Sequence, residues 1–595
     1  MEQLRLLLVF ALALLVRIVY ILQIDASPLF AFPAVDGKTY VLHAESLAAG
    51  NWLGYGQGPF WQPPLYPYLL GFVKSVAPDS FFYAIRWLQV IFGALTCSII
   101  YVLGSRWHST QVGFVAALAA CFYGPLIFFD GEVLPASLAT LLNMGGLLLL
   151  DRALDKNRLR LYGMAGFVFG MSALAVASVL SFALAAAGWI YWKKRSLAAL
   201  AIFALGVTVA LAPIAWRNYA IGGDSVLISS NSGINFFIGN NAAYEETIQT
   251  RPGWEWDELI AQPTAAGLKT PSQKSAYFWD KAGTYIQGHP LHYIYLQLRK
   301  TGHYLSGDEV GRNQDIYYWR TYSSVLSATL WKWGLAFPFG LVGPLTLLGL
   351  ALALRRKNLH LGILFALVYS AGVIAFFPMA RYRIPVVPVF LLLASYSACW
   401  LWDHFKFGQT RQAVQALVSV LVLGVITNLS STPMNRTGDA EIHYNLGQAY
   451  SKARQGDAAR HHFGQSVALD STYWQAWLNL GTMAALQGDL EQAKGIFRRV
   501  AQAKPQRPEA WVNLAHTFMG LKQSQAAVRA YEQALIVNPH QPRIYNELLQ
   551  LHFRRGSLEE ANKVLAIALE YYPQDREKLL QLFEGMRQRA ESKRR

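Results

Sequence analysis

Long apolar runs separated by short polar segments occupy residues 1–430 of the chain. Nine runs are long enough to cross a bilayer, which takes about 17–25 residues. They lie near 4–24, 84–104, 111–129, 133–150, 196–214, 334–354, 359–378, 384–402 and 411–428. The stretch 161–192 is also apolar, with Ser178 and Ser181 near its middle, and is predicted to form a hairpin of two short helices. The pattern therefore predicts about 11 transmembrane helices.

The distribution of positive charge predicts how these helices are oriented, because Lys and Arg concentrate in cytoplasmic loops. With a cytoplasmic N-terminus, the inner loops hold 13 basic residues against three acids. Two long connections, near 25–83 and 215–330, then lie outside, as does everything after residue 428. Arg381 and Arg383 are the exception, since they fall at the outer end of a span.

The polar pattern after residue 440 has a period of 34. Aromatic or histidine residues, leucines and alanines each recur at this interval: His443, Trp477, Trp511 and Tyr545; Leu446, Leu480, Leu514 and Leu548; Ala459, Ala493, Ala527 and Ala561. This register resembles tetratricopeptide repeats, which pack helix pairs into an α-solenoid. It predicts a linker at 431–439, four repeats at 440–473, 474–507, 508–541 and 542–575, and a capping helix with a basic tail at 576–595.

Composition also indicates a membrane protein with a polar C-terminal part. Hydrophobic residues make up 53% of the 595 positions and charged residues only 15%, which excludes a disordered chain, a disulfide-rich module and an ordinary soluble enzyme. The net charge of +16 would suggest a nucleic-acid partner in a soluble protein. Here the basic residues collect at membrane borders, so no nucleic-acid partner is expected. The three cysteines show no metal-ligand spacing and are predicted to pack in the core.

Several polar residues lie where a membrane protein could use them chemically. Asp36 precedes a predicted surface helix, and it could act in catalysis or simply cap that helix. Asp130 and Glu132 stand at a membrane border, where carboxylates are costly unless hydrated, paired or functional. For the basic candidates Arg217, Lys300, Arg381 and Arg383, the alternative to substrate binding is contact with lipid headgroups.

Seven segments in order carry a resemblance to integral-membrane glycosyltransferases of the GT-C class, such as protein O-mannosyltransferases of family 39. They are Asp36-x-x-x-Tyr40, PPLYPYLLG, the acid pair DGE before a span, WRNYAIGG at 216–223, SSNSGINFFIGNN at 229–241, GHPLHYIYLQLRK at 288–300 and ARYRIPVVPVFLLLAS at 380–395. The resemblance covers residues 1–430. It implies an all-α membrane protein with a GT-C-like domain that carries a tetratricopeptide tail.

The resemblance also implies a reaction and a set of site residues. A polyprenyl-phosphate sugar would be the donor, and a protein, lipid or glycan at the outer face would be the acceptor. The implied catalytic residues are Asp36, Asp130 and Glu132, with Asp36 as the base that takes the acceptor's proton. The implied substrate-binding residues are Tyr40, Arg217, His289, Lys300, Arg381 and Arg383, with the arginines holding phosphate. No metal site is predicted, although the carboxylates could supply ligands to a divalent cation, and His289 could equally be a turn residue.

Two other functions fit parts of the pattern. An O-antigen-ligase-like transferase can carry the same tail, but its main outer loop comes late in the spanning region. A catalytically degenerate, membrane-anchored scaffold is favoured by the hairpin 161–192, which lacks the basic residue found there in many relatives. The expected location is the bacterial inner membrane, with membrane lipids as partners. The repeats would lie on the periplasmic side and bind a protein or peptide in their groove.

Overall fold

The computed structural model describes residues 1–54, 58–311, 315–429 and 438–592. The chain divides into two compact units, Met1–Gly438 and Asp439–Arg595, called here the membrane unit and the repeat unit. Both are helical, and the described residues contain a single two-stranded hairpin. The predicted all-α class is confirmed. The predicted linker 431–439 lies outside the described residues up to position 437.

The membrane unit begins with helices that alternate between long apolar segments and shorter connecting ones. In chain order they are α1 (Glu2–Ile24), α2 (Pro28–Ala31), α3 (Val35–Ala48), α4 (Leu65–Val76), α5 (Phe81–Trp107), α6 (Thr110–Cys121), α7 (Gly124–Gly131), α8 (Ala136–Lys156), α9 (Leu159–Ala175), α10 (Val179–Lys194) and α11 (Leu197–Ala220).

The second half of this unit starts with connecting helices and ends with the last apolar spans. The helices are α12 (Ser232–Gly239), α13 (Tyr244–Thr247), α14 (Trp254–Ala265), α15 (Pro271–Gly288), α16 (Pro290–Leu305), α17 (Ser324–Thr329), α18 (Phe339–Ala353), α19 (His360–Phe376), α20 (Ala380–Arg383), α21 (Val387–Lys406) and α22 (Thr410–Leu429). The antiparallel hairpin of β1 (Trp331–Lys332) and β2 (Ala336–Phe337) leads into α18.

Length and composition identify seven helical segments in the described residues that could each cross a membrane alone. The predicted span 111–129 is instead the pair α6 and α7, bent by 54° at the break between them. The predicted hairpin 161–192 forms α9 and α10, of 17 and 16 residues, and the run 334–354 forms α18, of 15 residues. These three helices are shorter than the other spans, so 11 crossings stay a prediction.

The connection 215–330 folds into a small cluster of its own. Its core joins Ile234 and Ile238 of α12, Phe278 of α15 and Leu296 of α16 to Phe377 and Met379 at the end of α19. A β-carbon on Gly239 would overlap the backbone oxygen of Phe376, so only glycine lets α12 approach α19 this closely. This packing fixes the segment 377–383, which carries two predicted site arginines.

The repeat unit consists of four helix pairs and a final helix. They are α23 (Gly438–Lys452) with α24 (Gly456–Leu469), α25 (Trp474–Leu486) with α26 (Leu490–Ala503), α27 (Pro508–Gly520) with α28 (Ser524–Val537), α29 (Pro542–Arg555) with α30 (Leu558–Tyr571), and α31 (Arg576–Ser592). The repeated alanines Ala459, Ala493, Ala527 and Ala561 are fully buried. Their small size lets the two helices of each pair pack closely.

Candidate functional site

Asp36 lies in the first turn of α3 rather than before it. The cap position belongs to Ala34, so the carboxylate of Asp36 does not serve as the helix cap. Val35 directly before it has a φ of 46°, a left-handed conformation that is strained for a β-branched residue. Such strain concentrates at functional sites, because the surrounding fold must hold it in place. The backbone here therefore presents Asp36 in a constrained orientation.

The carboxylate of Asp36 forms an ion pair with the guanidinium of Arg381, a residue 345 positions later. The side-chain amide of Gln62 donates to the other carboxylate oxygen over 3.4 Å. The hydroxyl of Tyr382 accepts a hydrogen bond from Arg381 at 3.0 Å. Both charged side chains keep about a fifth of their surface exposed, 23% for Asp36 and 22% for Arg381. The pair is thus fixed by neighbours and still open to a ligand.

This ion pair lies in the wall of an open cavity of about 370 Å³, a volume that includes space open to solvent. Four parts of the chain supply the described residues of the wall: the start of α3, the turn around Phe129 and Leu134, the residues Val310, Gly311 and Ile316, and the segment 379–381. Its lining is Ala34, Val35, Asp36, Phe129, Leu134, Val310, Gly311, Ile316, Met379, Ala380 and Arg381. Of the nine predicted site residues, Asp36 and Arg381 line it.

Arg383 is buried beside the cavity and binds the loop that forms one of its walls. Its guanidinium donates to the carbonyls of Tyr304 and Ser306 at 2.8 and 2.9 Å and pairs with Glu309 at 2.8 Å. The backbone N–H of Ala380 donates to the carbonyl of Val310 at 2.9 Å. We call residues Ser306–Gly311 the wall loop. Arg383 therefore holds the wall loop against the segment that carries Arg381.

Tyr40 lies one turn beyond Asp36 on α3 and connects it to the second acidic segment. Its ring meets that of Tyr66 edge-on, with centroids 5.4 Å apart. The hydroxyl of Tyr66 donates to Gln89 at 2.5 Å, and the amide of Gln89 donates to the carbonyls of Asp130 and Glu132. Burial raises the pKa of Tyr40, so its hydroxyl stays protonated near neutral pH.

Asp130 is buried and forms an ion pair with Arg17 of the first span, at 2.6 Å. The hydroxyl of Ser137 donates to its second oxygen at 2.5 Å. Asp130 lines a separate cavity of about 250 Å³ that meets the first at Phe129. Glu132 is also buried, and only 5% of it is exposed. The carboxylate of Asp130 is thus occupied by a partner inside the membrane unit.

The side chain of Arg217 contacts the backbone of the loop between α3 and α4. Its guanidinium donates to the carbonyls of Leu53, Gly54 and Gly58 at 2.6–2.8 Å. The next residue, Asn218, accepts from the N–H of Phe60 at 3.2 Å. Arg217 is buried among these carbonyl oxygens, which satisfy the donors of its guanidinium. Arg217 therefore shapes the loop that leads to Gln62.

Lys300 is fully buried on α16 and contacts the ends of two helices. Its ammonium group lies 3.0–3.2 Å from four oxygens, on Gly239, Asn240, Ala375 and Phe376. Burial lowers the pKa of Lys300 to about 7. The carbonyls at the two helix C-termini favour the charged form of the side chain, because they attract cations. An ammonium has three donors, all of which these oxygens can take up.

His289 is exposed at the junction of α15 and α16, where the chain turns before Pro290. Its backbone N–H donates to the carbonyl of Tyr285. His289 thus occupies a turn between two helices, as in the alternative prediction that it is a turn residue. Its contact with a substrate stays a prediction.

Sequence reasoning missed several residues that shape the site. Gln62 stands just before the prolines of the PPLYPYLLG segment, and Glu309 lies in a polar loop without any periodic pattern. Arg17 interrupts the first apolar run. A cation inside a span asks for a buried partner, and this signal could have paired Arg17 with Asp130.

Within the described ranges, no group of three or more His, Cys, Asp or Glu side chains is placed to hold a metal ion. A divalent cation at this site therefore stays a prediction. Among the described residues that line the cavity, the charged side chains are one carboxylate and one guanidinium, which can accept a proton and bind an anion.

Comparison with known families matches both units. The family model described as dolichyl-phosphate-mannose-protein mannosyltransferase matches residues 61–217. The tetratricopeptide repeat model matches residues 444–508 and 512–576. The first match covers Gln62, Asp130, Glu132 and Arg217.

Curated relatives match parts of the chain. "BBSome complex member BBS4" of Bos taurus is 27% identical over 23% of this chain and 26% of its own length. "Anaphase-promoting complex subunit CDC16" of Saccharomyces cerevisiae is 26% identical over 19% of this chain and 13% of its own length. The chain thus spans about a quarter or less of the length of these relatives.

Two solved structures are similar over nearly a third of this chain. They are MamA from Desulfovibrio magneticus RS-1, at 16% identity, 30% of this chain and 93% of that one, and pilF of Pseudomonas aeruginosa, at 19% identity, 29% and 73%. Both have a TM-score of 0.22, which is too low to support an argument about fold or function. On the family matches, the chain combines a membrane domain similar to the dolichyl-phosphate-mannose-protein mannosyltransferases with a tetratricopeptide repeat domain.

Proposed function

We propose that the membrane unit transfers a sugar from a polyprenyl-phosphate donor to an acceptor hydroxyl at the outer face, with inversion at the anomeric carbon. The supporting observation is the meeting of Asp36 and Arg381 in one cavity, although 345 positions separate them. The reaction needs a base for the acceptor and a cation for the departing phosphate, and these two side chains provide both.

The proposed step is a single displacement. The acceptor oxygen bonds to the anomeric carbon while the bond from that carbon to the phosphate oxygen breaks. The acceptor's proton passes to the carboxylate of Asp36, and the electron pair leaves on the polyprenyl phosphate. Arg381 binds the phosphate oxygens as their negative charge grows, since a guanidinium binds phosphate in bidentate fashion. Arg383 and Glu309 keep the wall loop in place beside Arg381.

Substituting Arg381 tests the role of the cation. We expect Arg381→Ala to raise the KM for the donor more than Arg381→Lys, because Lys keeps the charge and loses only the bidentate geometry. Loss of a charge-assisted hydrogen bond of about 1.5–3 kcal/mol corresponds to roughly a 10–150-fold weaker donor interaction. The measurement is transfer from labelled polyprenyl-phosphate hexose by the purified full chain in liposomes.

Arg355→Ala serves as the matched control, because Arg355 is an exposed arginine just past the end of α18. It should leave donor kinetics at the wild-type level. Equal donor KM in wild type and both Arg381 variants would remove Arg381 from the site. Activity in wild type with a soluble nucleotide-sugar donor, and none with the lipid-linked donor, would contradict the proposed donor class.

We further propose that the repeats lie on the same side of the bacterial inner membrane as the site and bind a protein or peptide acceptor there. The support is where the membrane unit ends. The carbonyl of Thr427, near the end of α22, accepts from the N–H of Gly307 in the wall loop at 2.9 Å. The chain therefore leaves α22 on the side of the cavity, which is the periplasmic side by the charge pattern.

Reporter fusions test this location. Alkaline phosphatase fused after Arg595 should be active, and green fluorescent protein fused there should be dark. A fusion in the loop after Gly408, between α21 and α22, is the matched control and should give the opposite pair of signals. Green fluorescence without phosphatase activity at both positions would mean that α22 does not cross and that the repeats lie in the cytoplasm.

A further inference from the structure

Asn428, next to the end of the last span, holds three segments of the membrane unit together. Its side-chain oxygen accepts from the N–H of Ala336 in β2 at 2.8 Å. Its side-chain nitrogen donates to the carbonyl of Gly340 in the first turn of α18 at 3.1 Å, and to that of Gly424 at 2.8 Å. The amide thus uses both its acceptor and its donors, and each bond is to a backbone group.

Two glycines let the wall loop reach this amide. A β-carbon on Gly307 would lie 2.9 Å from the side-chain oxygen of Asn428 and 3.0 Å from the Cα of Gly340. A β-carbon on Gly340 would overlap the same oxygen. The N–H of Gly307 also donates to the carbonyl of Thr427. The wall loop, the hairpin and the end of α22 therefore pack backbone against backbone around one side chain.

The wall loop transmits this arrangement to the cavity. Ser306 precedes Gly307 and accepts from Arg383, whose guanidinium also pairs with Glu309. Val310 and Gly311 line the cavity, and Val310 accepts from the N–H of Ala380, the neighbour of Arg381. The bonded path to the residue before Arg381 thus starts at the carbonyl of Thr427, the neighbour of Asn428, and consists of backbone hydrogen bonds and the bonds of Arg383.

We infer that Asn428 is a positioning residue: it fixes the wall loop, and through it the place of Arg381 relative to Asp36. It contacts none of the reacting groups itself. The expected effect of Asn428 on sugar transfer rests on the proposed function. Its expected effect on the wall loop does not depend on that function. It makes the point where the repeat domain is attached a structural part of the site.

The test measures the wall loop directly. Val310→Cys places a nearly isosteric thiol in the loop, while the native thiols Cys97, Cys121 and Cys399 are buried. In the full chain, Asn428→Ala should raise the rate at which a water-soluble maleimide labels this introduced thiol about tenfold. A factor of ten is about 1.4 kcal/mol, of the order of the hydrogen bonds lost. Gly340→Ala should do the same, because it displaces the amide without removing it.

Two controls separate positioning from general loosening. Ser419→Ala removes a hydroxyl that bonds within α22, so it should leave the labelling rate of the wall-loop thiol unchanged. A second thiol, introduced by Leu134→Cys in a part of the lining outside the wall loop, should keep its labelling rate in the Asn428→Ala background. An unchanged rate for the wall-loop thiol, or an equal rise for the thiol at position 134, would overturn the positioning role.

Transfer kinetics then tie the loop to the chemistry. In a chain that keeps Val310, Asn428→Ala should lower kcat about tenfold while thermal unfolding of the membrane unit stays near wild type. A labelling change without any transfer by wild type would leave Asn428 as a positioning residue and reject the proposed function. Wild-type transfer with an unaltered kcat in both the Asn428 and Gly340 variants would reject the link from Asn428 to the site.

Discussion

Asp36→Asn should lower the rate of sugar transfer by about 10²–10⁴-fold, the usual cost of removing a general base. Asparagine has the same shape as aspartate, and its one amide oxygen can still accept from Arg381, while the hydrogen bond from Gln62 to the second oxygen is lost. It cannot take up the acceptor's proton, so the loss should appear in kcat more than in the donor KM. The measurement is transfer from labelled polyprenyl-phosphate hexose by purified variant and wild type under saturating donor.

Asp25→Asn is the matched control. Asp25 is an exposed carboxylate at the end of α1, where it accepts from the hydroxyl of Tyr83 at 3.0 Å. Its loss should leave transfer at the wild-type rate. Near-wild-type turnover in Asp36→Asn would contradict the assignment of Asp36 as the base. No transfer by the wild type itself would instead favour the hypothesis of a catalytically degenerate scaffold.

Breaking the buried ion pair of Arg17 and Asp130 should cost the membrane unit about 3–5 kcal/mol of unfolding free energy. The two side chains are 1% and 5% exposed, so removing one leaves the other charged and unpaired in an apolar surrounding. A β-carbon on Gly93 would overlap both groups, so the ion pair packs directly against the backbone of α5. The measurement is denaturant or thermal unfolding of Arg17→Ala and of Asp130→Asn.

The exposed pair of Arg106 and Asp151 provides the comparison. Its side chains are 33% and 18% exposed, and Arg106→Ala should cost about 1 kcal/mol or less. Replacing both Arg17 and Asp130 by apolar residues should recover much of the stability, since no charge is left unpaired. If Asp130→Asn abolishes transfer with unchanged stability, Asp130 is catalytic and its pairing with Arg17 is secondary.

The sequence predicts most of the helical architecture because its signals are local. Apolar runs give the spans, and a period of 34 gives the repeat helices together with their buried alanines. The bend between α6 and α7 falls at Gly124 and Pro125, which interrupt the helix after Phe122. The sequence does not predict that α18 is short, because the first residues of its apolar run, 334–354, belong to the β1–β2 hairpin and not to the helix.

The pairing of distant polar residues is what the sequence leaves open. Asp36 and Arg381 each appear as candidates, but nothing local says that they meet. Arg383 shows the same limit: it shares the ARYR segment with Arg381, yet its partner is Glu309 in an unpatterned loop. Lys300 and Arg217 look alike as border cations and are buried among carbonyls by tertiary packing. The sign of a side chain's charge can be read from the local sequence, whereas the partner of that charge depends on the tertiary fold.

The attachment at Asn428 bears on how acceptors are chosen. Only residues 430–437 separate the end of α22 from the start of α23. A peptide bound by the repeats would stay joined to the cavity through this short connection, at an effective concentration that reaches the millimolar range for short linkers. The cavity itself then needs only weak affinity for the acceptor's local sequence. Substrate choice would pass from the catalytic domain to the repeats, and exchanging the repeats would redirect the enzyme without changing its chemistry.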